Sequence, residues 1–344
     1  MKIFIHGRDK MNWSIDNDRR HLEKALKRLG YPITQSPLSC QIFYNIWWNL
    51  IQHRLIRWYF KARKPECVLA TVTNDLKYQR DDFFTISPYI DYWIYANSYQ
   101  KSDLVNYGIK EDRLMYNPFY VDIETFKNLE WTKEDLALEF QIPYREIKNK
   151  IIIGSFQRDS LGNDLAKPKW QKNPDLLLEI CSKLDSSQYL LLLSGPRRHY
   201  IVRQCRLRKI PYFYVGNDSM HATNRDDIIL NNQSLVNINK LYNIVDICLI
   251  TSKSEGGPKA VLESTLAETL VLSTRVGMAP DILDSRSLCD TTDEFINKIK
   301  ELTNNTTKYK ELSEVNYKRV CAINNLSSYT DRISSIIQTA VTEI

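Results

Sequence analysis

Two glutamates and a pair of glycines lie within one short segment and could together bind a phosphorylated ligand. Glu255 comes directly before Gly256 and Gly257, and Glu263 follows six residues later. Only ten of the 344 residues are glycine, well below the roughly 7% of an average protein, so an adjacent pair indicates a specific backbone requirement. Glycine amides can approach an anion closely, and carboxylates accept hydrogen bonds from hydroxyl groups. The segment therefore predicts a ligand that carries an anionic group and several hydroxyls.

The surrounding sequence predicts a strand, a short loop and a helix. Residues 244–250 form an apolar run rich in branched side chains, which is typical of a buried strand. Pro258 lies at the first helical position, and residues 259–270 favour a helix. Glu255 then lies on the loop, and Glu263 lies about one and a half turns into the helix. Because the amino end of a helix attracts anions, the combination indicates a sugar nucleotide.

This segment resembles the donor-site signature of retaining glycosyltransferases of family 4. The resemblance rests on Glu255 to Glu263 with Gly-Gly-Pro between them, on residues 241–246 before them and on Gly277 after them. It covers about residues 90–325 well and the first 90 residues poorly. It implies an α/β protein with the GT-B fold, in which two Rossmann-like domains with parallel sheets face a central cleft. An ordinary strand-to-helix turn would also fit so short a motif.

The resemblance also implies binding roles. Glu255 would hold hydroxyls of the donor sugar, and Glu263 would hold the ribose hydroxyls. The amides of Gly256 and Gly257 would contact the diphosphate or the sugar. The further donor-binding candidates are Gly154, Pro258, Lys259 and the stretch from Tyr214 to Asn217, whose backbone would contact the base. The sequence does not separate UDP from GDP.

A diphosphate also needs cations. Enzymes of this family place an arginine after the first strand of the donor half and a lysine at the start of the next helix, and Arg158 and Lys172 match those positions. They would act as a bidentate clamp and a point charge on the leaving phosphates. The chain departs from the family by an insertion between them and by Asn173, where the family usually has glycine. Lys169 is therefore an alternative to Lys172, and solvated loop cations are the other interpretation.

The implied reaction moves a sugar from a nucleotide-diphosphate sugar to a glycan or lipid-linked acceptor with retention, in polysaccharide or glycoconjugate biosynthesis. Glu255, Arg158 and Lys172 are the catalytic candidates, because stabilising charge on the departing phosphates is the main task. We expect no metal and no cofactor, since two cations and a helix end neutralise the phosphates. The alternative is a catalytically inactive sugar-nucleotide-binding subunit of a membrane glycosylation complex.

The acceptor side is less well determined. The family often has a glycine pair after the first strand, whereas this chain has His6, Gly7 and Arg8. These residues should border the cleft, although His6 could equally be a histidine satisfied at a strand end. The other residues expected near the acceptor are Asn12, Trp13 and Asn74.

Apolar runs alternate with helical stretches along the whole chain, which predicts parallel strands joined by crossover helices. Gly30 and Gly108 are expected to end helices. We predict an N-terminal domain over 1–125, a nucleotide-sugar-binding domain over 126–325 and a helix over 326–344 that crosses back to the first domain. The predicted strands lie near 2–6, 31–35, 67–73, 92–96, 113–117, 151–154, 190–193, 212–215 and 271–274, with an irregular surface insertion over 219–239.

The positive charge is concentrated near the amino end. Residues 1–66 contain 13 basic and 5 acidic side chains, a balance of +8 within an overall charge of +6. Residues 40–64 show apolar side chains at helical spacing, and Arg54, Arg57 and Lys61 follow the same step on another stripe. The helix predicted there either packs on the sheet or lies on an anionic membrane. The modest total charge and the lack of a recognisable motif argue against nucleic acid as a partner.

The spacing of the cysteines indicates the cellular compartment, and the spacing of the histidines indicates whether to expect a zinc site. The seven cysteines are scattered and odd in number, as expected for reduced thiols of a cytoplasmic protein. The membrane hypothesis would place the protein at the inner face of the membrane. The five histidines do not cluster in the sequence, so we expect no structural zinc.

Overall fold

The computed structural model describes residues 1–9 and 14–342, and the chain divides into two compact units. Unit 1 comprises Met1–Tyr120, Glu255–Gly257 and Ile323–Ile344, and unit 2 comprises Val121–Ser254 and Pro258–Ala322. The boundary thus falls at Tyr120, close to the expected residue 125, and the last helix groups with unit 1. The acceptor candidates Asn12 and Trp13 lie outside the described residues.

Each unit contains a parallel β-sheet. The strands are β1 (Ile3–His6), β2 (Ile33–Thr34), β3 (Ile42–Asn45), β4 (Cys67–Thr71), β5 (Tyr92–Tyr95), β6 (Leu114–Tyr116), β7 (Ile151–Ser155), β8 (Tyr189–Ser194), β9 (Tyr212–Val215), β10 (Ile247–Ile250) and β11 (Leu270–Ser273). Over the described residues, the order is β2-β1-β3-β4-β5-β6 in unit 1 and β11-β10-β7-β8-β9 in unit 2. The predicted α/β class with two parallel sheets is confirmed.

Helices connect the strands, because parallel neighbours need crossover connections. The α-helices are α1 (Ser14–Arg28), α2 (Arg54–Ala62), α3 (Arg80–Ile86), α4 (Ser98–Asn106), α5 (Lys133–Glu139), α6 (Tyr144–Ile147), α7 (Pro174–Lys183), α8 (His199–Arg208), α9 (Leu235–Ile244), α10 (Lys259–Leu266), α11 (Ala279–Ile282), α12 (Thr292–Thr303), α13 (Thr306–Ile323) and α14 (Leu326–Thr342). Short 3-10 turns occupy Pro37–Ser39, Trp48–Gln52, Leu76–Tyr78, Ser87–Tyr89, Glu111–Arg113, Trp170–Lys172, Asp218–Ala222 and Ser285–Ser287.

The sheet of unit 1 is covered on both faces. On one face, α1 and α14 pack against the strands, and Ile333 and Ile337 of α14 are buried with Leu26 of α1. The other face holds an aromatic cluster in which the Trp48 and Trp93 rings lie 5.9 Å apart. Burial of each such side chain contributes about 1.5–3 kcal/mol, so both faces stabilise the sheet.

Unit 2 has one large core. Leu191 and Leu249 from the sheet pack with Ile201 of α8 and Phe295 of α12, all essentially inaccessible to water. Every residue of β8 and β10 is buried, which is the pattern of strands covered on both faces. This core positions the carboxyl ends of the strands, where open α/β sheets bind ligands.

The predicted helix ends are confirmed. Gly30 and Gly108 follow α1 and α4 with φ values of 77° and 87°, the left-handed conformation that glycine adopts after a helix. The Thr132 hydroxyl accepts the Asp135 N–H, and the Asp135 carboxylate accepts the Thr132 N–H. This reciprocal capping box starts α5.

The helix predicted over residues 40–64 is wrong. That stretch contains β3, a 3-10 turn and the nine-residue helix α2. The error has a simple cause, since Phe43 and its neighbours in β3 are buried on both faces of the sheet. Such a strand shows no alternation of apolar and polar residues, so its pattern resembles a buried helix.

Three further expectations need correction. Gly154 lies inside β7 rather than at a turn, and a Cβ there would lie 2.6 Å from Val245 Cγ2. Residues 219–239 are not only a surface insertion, because His221 and Asp227 are fully buried. The histidines also do cluster, since the rings of His199 and His221 lie 5.0 Å apart. These contacts join residues far apart in the chain, which sequence spacing could not reveal.

Across residues 1–9 and 14–342, we find no helix with both the length and the apolar character needed to cross a bilayer.

Candidate functional site

The strand, loop and helix predicted around the two glutamates are present. β10 ends at Ile250, and α10 begins at Lys259 directly after Pro258, which is buried. The helix ends at Leu266, four residues earlier than predicted, and Glu268 just beyond it has a φ of 60°. The observed elements therefore match the order and type that the sequence indicates, with shifted boundaries.

Glu263 lies in α10 and faces two neighbours of unit 2. The Tyr242 hydroxyl donates to Glu263 Oε2 at 3.2 Å, and Lys259 lies one turn earlier on the same helix. Loss of water around the carboxyl group raises the pKa of Glu263 to about 6, although Lys259 and the Tyr242 hydroxyl oppose the increase. At neutral pH the group is thus mainly a carboxylate that can accept hydrogen bonds.

Gly256 packs tightly against the backbone that follows β4 in unit 1. A Cβ at this position would overlap the Thr73 carbonyl and the Asn74 nitrogen. The Gly256 carbonyl accepts hydrogen bonds from Asn97 Nδ2 and, at 3.3 Å, from Gln100 Nε2. This close approach explains why glycine occupies the position. Its neighbours Glu255 and Gly257 are both half-buried.

The loop after β7 carries Arg158, which is half-buried. The next residue, Asp159, forms a buried ion pair with Arg198, with Nε and Oδ2 2.5 Å apart. Arg198 Nη1 also donates to the Ser155 carbonyl at 2.7 Å. Burial raises the pKa of Asp159 to about 6, although the Arg198 charge lowers it. The pair thus supports the loop that presents Arg158, and the sequence analysis missed it.

The two lysine candidates lie in the short turn before α7. Lys172 is its last residue and Lys169 its N-cap, and both are half-buried. Asn173 follows with φ 47° and ψ 57°, the left-handed conformation that glycine usually adopts and asparagine tolerates. This geometry accounts for the departure from glycine noted in the sequence. The Lys169 N–H donates to the Asp159 carbonyl at 2.6 Å.

Unit 2 brings these loops together at one edge of its sheet. After β10, the Lys253 N–H donates to the Gln171 carbonyl at 2.8 Å. The Ser252 hydroxyl donates to Gln157 Oε1 at 3.3 Å. Because β10 and β7 are neighbours in the sheet, the segments that carry Arg158 and Lys172 both border the one that leads to Glu255.

The residues expected near the base already have internal partners. Tyr214 is buried in β9, and its hydroxyl donates to the Gly195 carbonyl at 2.8 Å. The Asn217 N–H donates to Asn231 Oδ1 at 2.7 Å, and its carbonyl accepts from Asn231 Nδ2 at 3.3 Å. A base contact through the Asn217 backbone would have to displace Asn231.

The acceptor candidates in unit 1 differ in burial and in their hydrogen-bond partners. His6 Nδ1 lies 2.8 Å from Asn45 Oδ1, and burial lowers the pKa of His6. Gly7 follows β1, and its carbonyl accepts from Arg19 Nη1 at 3.4 Å. Arg8 is exposed.

Asn74 serves the structure of unit 1. Its Oδ1 accepts from Trp48 Nε1 at 2.7 Å, and its Nδ2 donates to Gln79 Oε1 at 2.7 Å. Trp48 is fully buried. The amide of Asn74 therefore satisfies a buried indole N–H, a role that no spacing in the sequence indicates.

Residues 166–319 match the family described as Glycosyl transferases group 1. This range contains Lys169, Lys172 and the Glu255–Glu263 segment. Among curated proteins, no sequence matches the chain.

Solved structures with the same fold cover nearly the whole chain. Sucrose-phosphate synthase from Thermosynechococcus elongatus matches with a TM-score of 0.75 and 12% identity, over 100% of this chain and 99% of that one. HepE from Anabaena, in complex with UDP and glucose, matches with a TM-score of 0.71 and 12% identity, over 98% and 99%.

A glycosyltransferase from Rickettsia africae matches with a TM-score of 0.70 and 16% identity, over 99% of this chain and 98% of that one. At such identities the likeness establishes the fold. The resemblance to GT-B glycosyltransferases inferred from the sequence is thus confirmed, while the family-4 type stays a prediction. The chain has the GT-B fold, and its residues 166–319 match the glycosyl transferases group 1 family.

Proposed function

We propose that the protein is a retaining glycosyltransferase that moves a sugar from a nucleotide-diphosphate sugar to a glycan or lipid-linked acceptor. The observation that carries the proposal is the segment from Glu255 to Glu263, with its glycine pair ahead of α10 and Glu263 inside that helix. The family match over residues 166–319 supports it. We assign the reaction to polysaccharide or glycoconjugate biosynthesis.

In this proposal the donor is bound through two kinds of group. Glu263 accepts hydrogen bonds from the ribose hydroxyls, and Glu255 accepts them from the donor sugar. The amides of Gly256 and Gly257 contact the diphosphate or the sugar. Arg158 and Lys172, with Lys169 as the alternative, lie in loops that border this segment and neutralise the phosphates.

The proposed reaction breaks the bond between the anomeric carbon and the phosphate oxygen. The nucleoside diphosphate leaves with that electron pair, and Arg158 and the lysine stabilise the charge as it develops. The acceptor hydroxyl oxygen forms the new bond on the same face of the sugar. Its proton passes to the departing phosphate oxygen, so charge and atoms balance. The two cations make a metal unnecessary at this site.

The alternative proposal is a sugar-nucleotide-binding subunit without catalysis, which would assist a membrane glycosylation complex. It shares the donor site and differs only in turnover. The presence of Glu255, Glu263 and Arg158 together favours the enzyme.

The decisive experiment combines nucleotide binding with donor turnover. A ligand that binds only the folded protein raises its Tm, so thermal shift with UDP, GDP and their sugars identifies the base. UDP is the first probe, because HepE was solved with UDP and glucose. Release of nucleoside diphosphate from the sugar donor then measures turnover.

Glu263→Gln tests the donor site. We expect nucleotide affinity to fall about 10- to 100-fold, because hydrogen bonds to a charged group contribute about 1.5–3 kcal/mol. Glu146→Gln, an exposed change in the same unit, is the control and should bind normally. Unchanged binding by the Glu263 variant would remove the assignment, whereas binding without turnover in the wild-type protein would favour the inactive subunit.

We also propose that α2 contacts an anionic membrane, since the acceptor class includes lipid-linked glycans. Leu55 and Trp58 of this helix are 68% and 69% exposed. The same nine-residue helix also carries Arg54, Arg57 and Lys61. Exposed aromatic and aliphatic side chains beside basic ones suit the surface of an anionic bilayer.

Replacing Arg54, Arg57 and Lys61 with Ser should weaken binding to phosphatidylserine vesicles about tenfold or more, since each basic residue contributes about 1 kcal/mol near such a surface. The matched control replaces three exposed basic residues of α1, which are Lys24, Lys27 and Arg28. Sedimentation with vesicles measures both. Equal losses would indicate a general charge effect, and no loss in the α2 variant would contradict the contact.

A further inference from the structure

Three metal-binding side chains come together inside unit 2, beside the predicted base-contact residues, with the His221 ring 4.4 Å from the Tyr214 ring. His199 is the first residue of α8, His221 lies in the turn Asp218–Ala222, and Asp227 lies in the irregular segment that follows. All three are completely buried, at 0% exposure. One ligand atom from each lies within 4.8 Å of the others.

The distances are too long for hydrogen bonds and suited to a small cation. His199 Nδ1 lies 3.9 Å from Asp227 Oδ1, and His221 Nε2 lies 3.8 Å from Asp227 Oδ2. Among the described residues, no hydrogen bond of normal geometry reaches either ring nitrogen of His199 or His221 Nε2, although the Arg225 backbone lies near His199. Buried polar groups are normally paired, because an unpaired one costs free energy. Here the two histidines face the two oxygens of one carboxylate.

The neighbours of His221 fix which nitrogen carries its proton. His221 Nδ1 lies 2.8 Å from Asp218 Oδ1, so this nitrogen donates to that carboxylate. Nε2 is then left with its lone pair directed toward the Asp227 carboxylate. A cation between this nitrogen and the Asp227 carboxylate would satisfy both groups.

The surrounding charges leave Asp227 as the carboxylate that needs compensation. Arg206 Nη2 lies 2.9 Å from Asp218, and Arg197 Nη2 lies 2.6 Å from Asp226. Over the part of the chain that the structure describes, the ion-pair partners of Asp227 are the two histidines.

The Asp227 carboxylate is nevertheless held firmly. The Arg197 N–H donates to its Oδ1 at 2.8 Å, and Asn231 Nδ2 donates to its Oδ2 at 2.7 Å. Ligating side chains are commonly oriented in this way by a second layer of hydrogen bonds. The Asp218 contact gives His221 the same support.

We propose that His199, His221 and Asp227 bind one divalent transition-metal ion, with zinc as the first candidate. Two imidazoles and one carboxylate are a ligand set that zinc accepts, with water or another group completing the tetrahedron. Zinc bonds of about 2.0–2.2 Å place ligand atoms about 3.3–3.6 Å apart. The two histidine–carboxylate distances, 3.9 and 3.8 Å, are near that range, and side-chain rotation would have to bring the widest pair, which lies within 4.8 Å, closer together.

The ion would have a structural role that does not depend on the proposed transfer reaction. It would join the start of α8, the turn after β9 and the segment around Asp227. These parts meet at the carboxyl ends of β8 and β9. Because the metal would bind the folded protein and not the unfolded chain, it should stabilise unit 2.

Cobalt titration of the chelator-treated full-length protein tests the site directly. We expect one Co²⁺ per chain, with visible absorption bands of a tetrahedral nitrogen and oxygen site and no thiolate charge-transfer band. His199→Asn, His221→Asn and Asp227→Asn should each weaken binding at least about 100-fold, since loss of an outer-layer partner alone costs 10- to 100-fold. His53→Asn, an exposed histidine in unit 1, is the matched control and should bind as the wild type does.

A second variant covers the case in which the ligand variants fail to fold. Asp218→Asn keeps all three ligands and weakens the hydrogen bond to His221, so Zn²⁺ affinity should fall about tenfold while far-ultraviolet circular dichroism stays unchanged. Zn²⁺ should raise the Tm of the wild type and of His53→Asn. The proposal is overturned if the wild type binds no Co²⁺, or if the Asp218 and ligand variants bind it as tightly as the wild type.

Discussion

The strand ends of the two units carry different kinds of polar residue. In unit 2, the charged side chains Arg158 and Lys172 are half-buried. Arg158 lies in the loop after β7 and Lys172 in the turn before α7, next to the loop after β10. In unit 1, His6 at the end of β1 and Asn74 after β4 have polar atoms bonded to Asn45, Trp48 and Gln79, and the charged side chain of Arg8 is exposed.

The difference separates ligand binding from loop support. A charged group at a strand end can stabilise an anionic ligand, whereas a neutral amide with both polar atoms engaged holds its own loop in place. We therefore assign the electrostatic work to unit 2 and a positioning role to Asn74. The following predictions test that division, beginning with the largest expected effect.

Arg158→Ala should lower kcat about 10²- to 10³-fold, the usual loss when a donor to developing charge is removed. The free energy of unfolding should change by about 1 kcal/mol or less, since the side chain is only half-buried. Steady-state kinetics and urea unfolding measure the two effects. Arg145→Ala, an exposed change in unit 2, is the control. A large loss of stability with normal turnover would place Arg158 with the supporting residues.

Donor binding should weaken at low pH because of Glu263. Its pKa is raised to about 6, so below that value the carboxyl is protonated and accepts hydrogen bonds poorly. The Kd for the nucleotide should rise by up to about tenfold per pH unit below 6. Isothermal titration between pH 5 and 8 measures this change, and Glu263→Gln should lose it.

Protonation of Glu263 should weaken nucleotide binding but increase the free energy of unfolding. A carboxyl group whose pKa is raised in the folded state binds protons more readily there, so this group adds stability as pH falls from about 6 towards its ordinary value of 4.5. Protonation of Glu263 would therefore not unfold the protein at pH 5, so it could weaken nucleotide binding there only by removing a hydrogen-bond acceptor. A Kd that stays constant across this range would contradict the assigned contact.

Asn74→Ala should have the smallest effect on activity. It leaves the buried Trp48 N–H without a partner, which should cost about 1–3 kcal/mol of folding free energy, while KM for the acceptor stays near the wild-type value. Asn106→Ala, on the exposed face of α4, is the control for stability. A higher acceptor KM with an unchanged Tm would instead make Asn74 a binding residue.

The local sequence pattern predicted secondary structure correctly where neighbouring residues determine the backbone conformation. The order of β10, the glycine pair and α10 follows from a branched apolar run, two glycines and a proline, each acting on its own stretch of backbone. The capping box at Thr132 and the glycine caps at Gly30 and Gly108 are local in the same sense.

The local sequence pattern gave wrong predictions, or none, where residues are buried by contacts with distant parts of the chain. Residues 40–64 were predicted as one helix because the buried residues of β3 carry no alternation. The ion pair of Asp159 with Arg198 joins residues 39 positions apart, and the His199 and His221 pair joins residues 22 apart. No spacing within the sequence marks such partners.

The sequence by itself determined the α/β class, the order of strand, loop and helix around Glu255–Glu263 and the element that carries each glutamate, because hydrophobic period, glycine and proline act within a few residues. Tertiary structure alone decided that Gly256 packs against the Thr73 carbonyl, that Asn74 satisfies Trp48, and that two distant histidines face Asp227. These outcomes depend on which strands become neighbours, and that is set by the burial of the whole sheet rather than by any one segment.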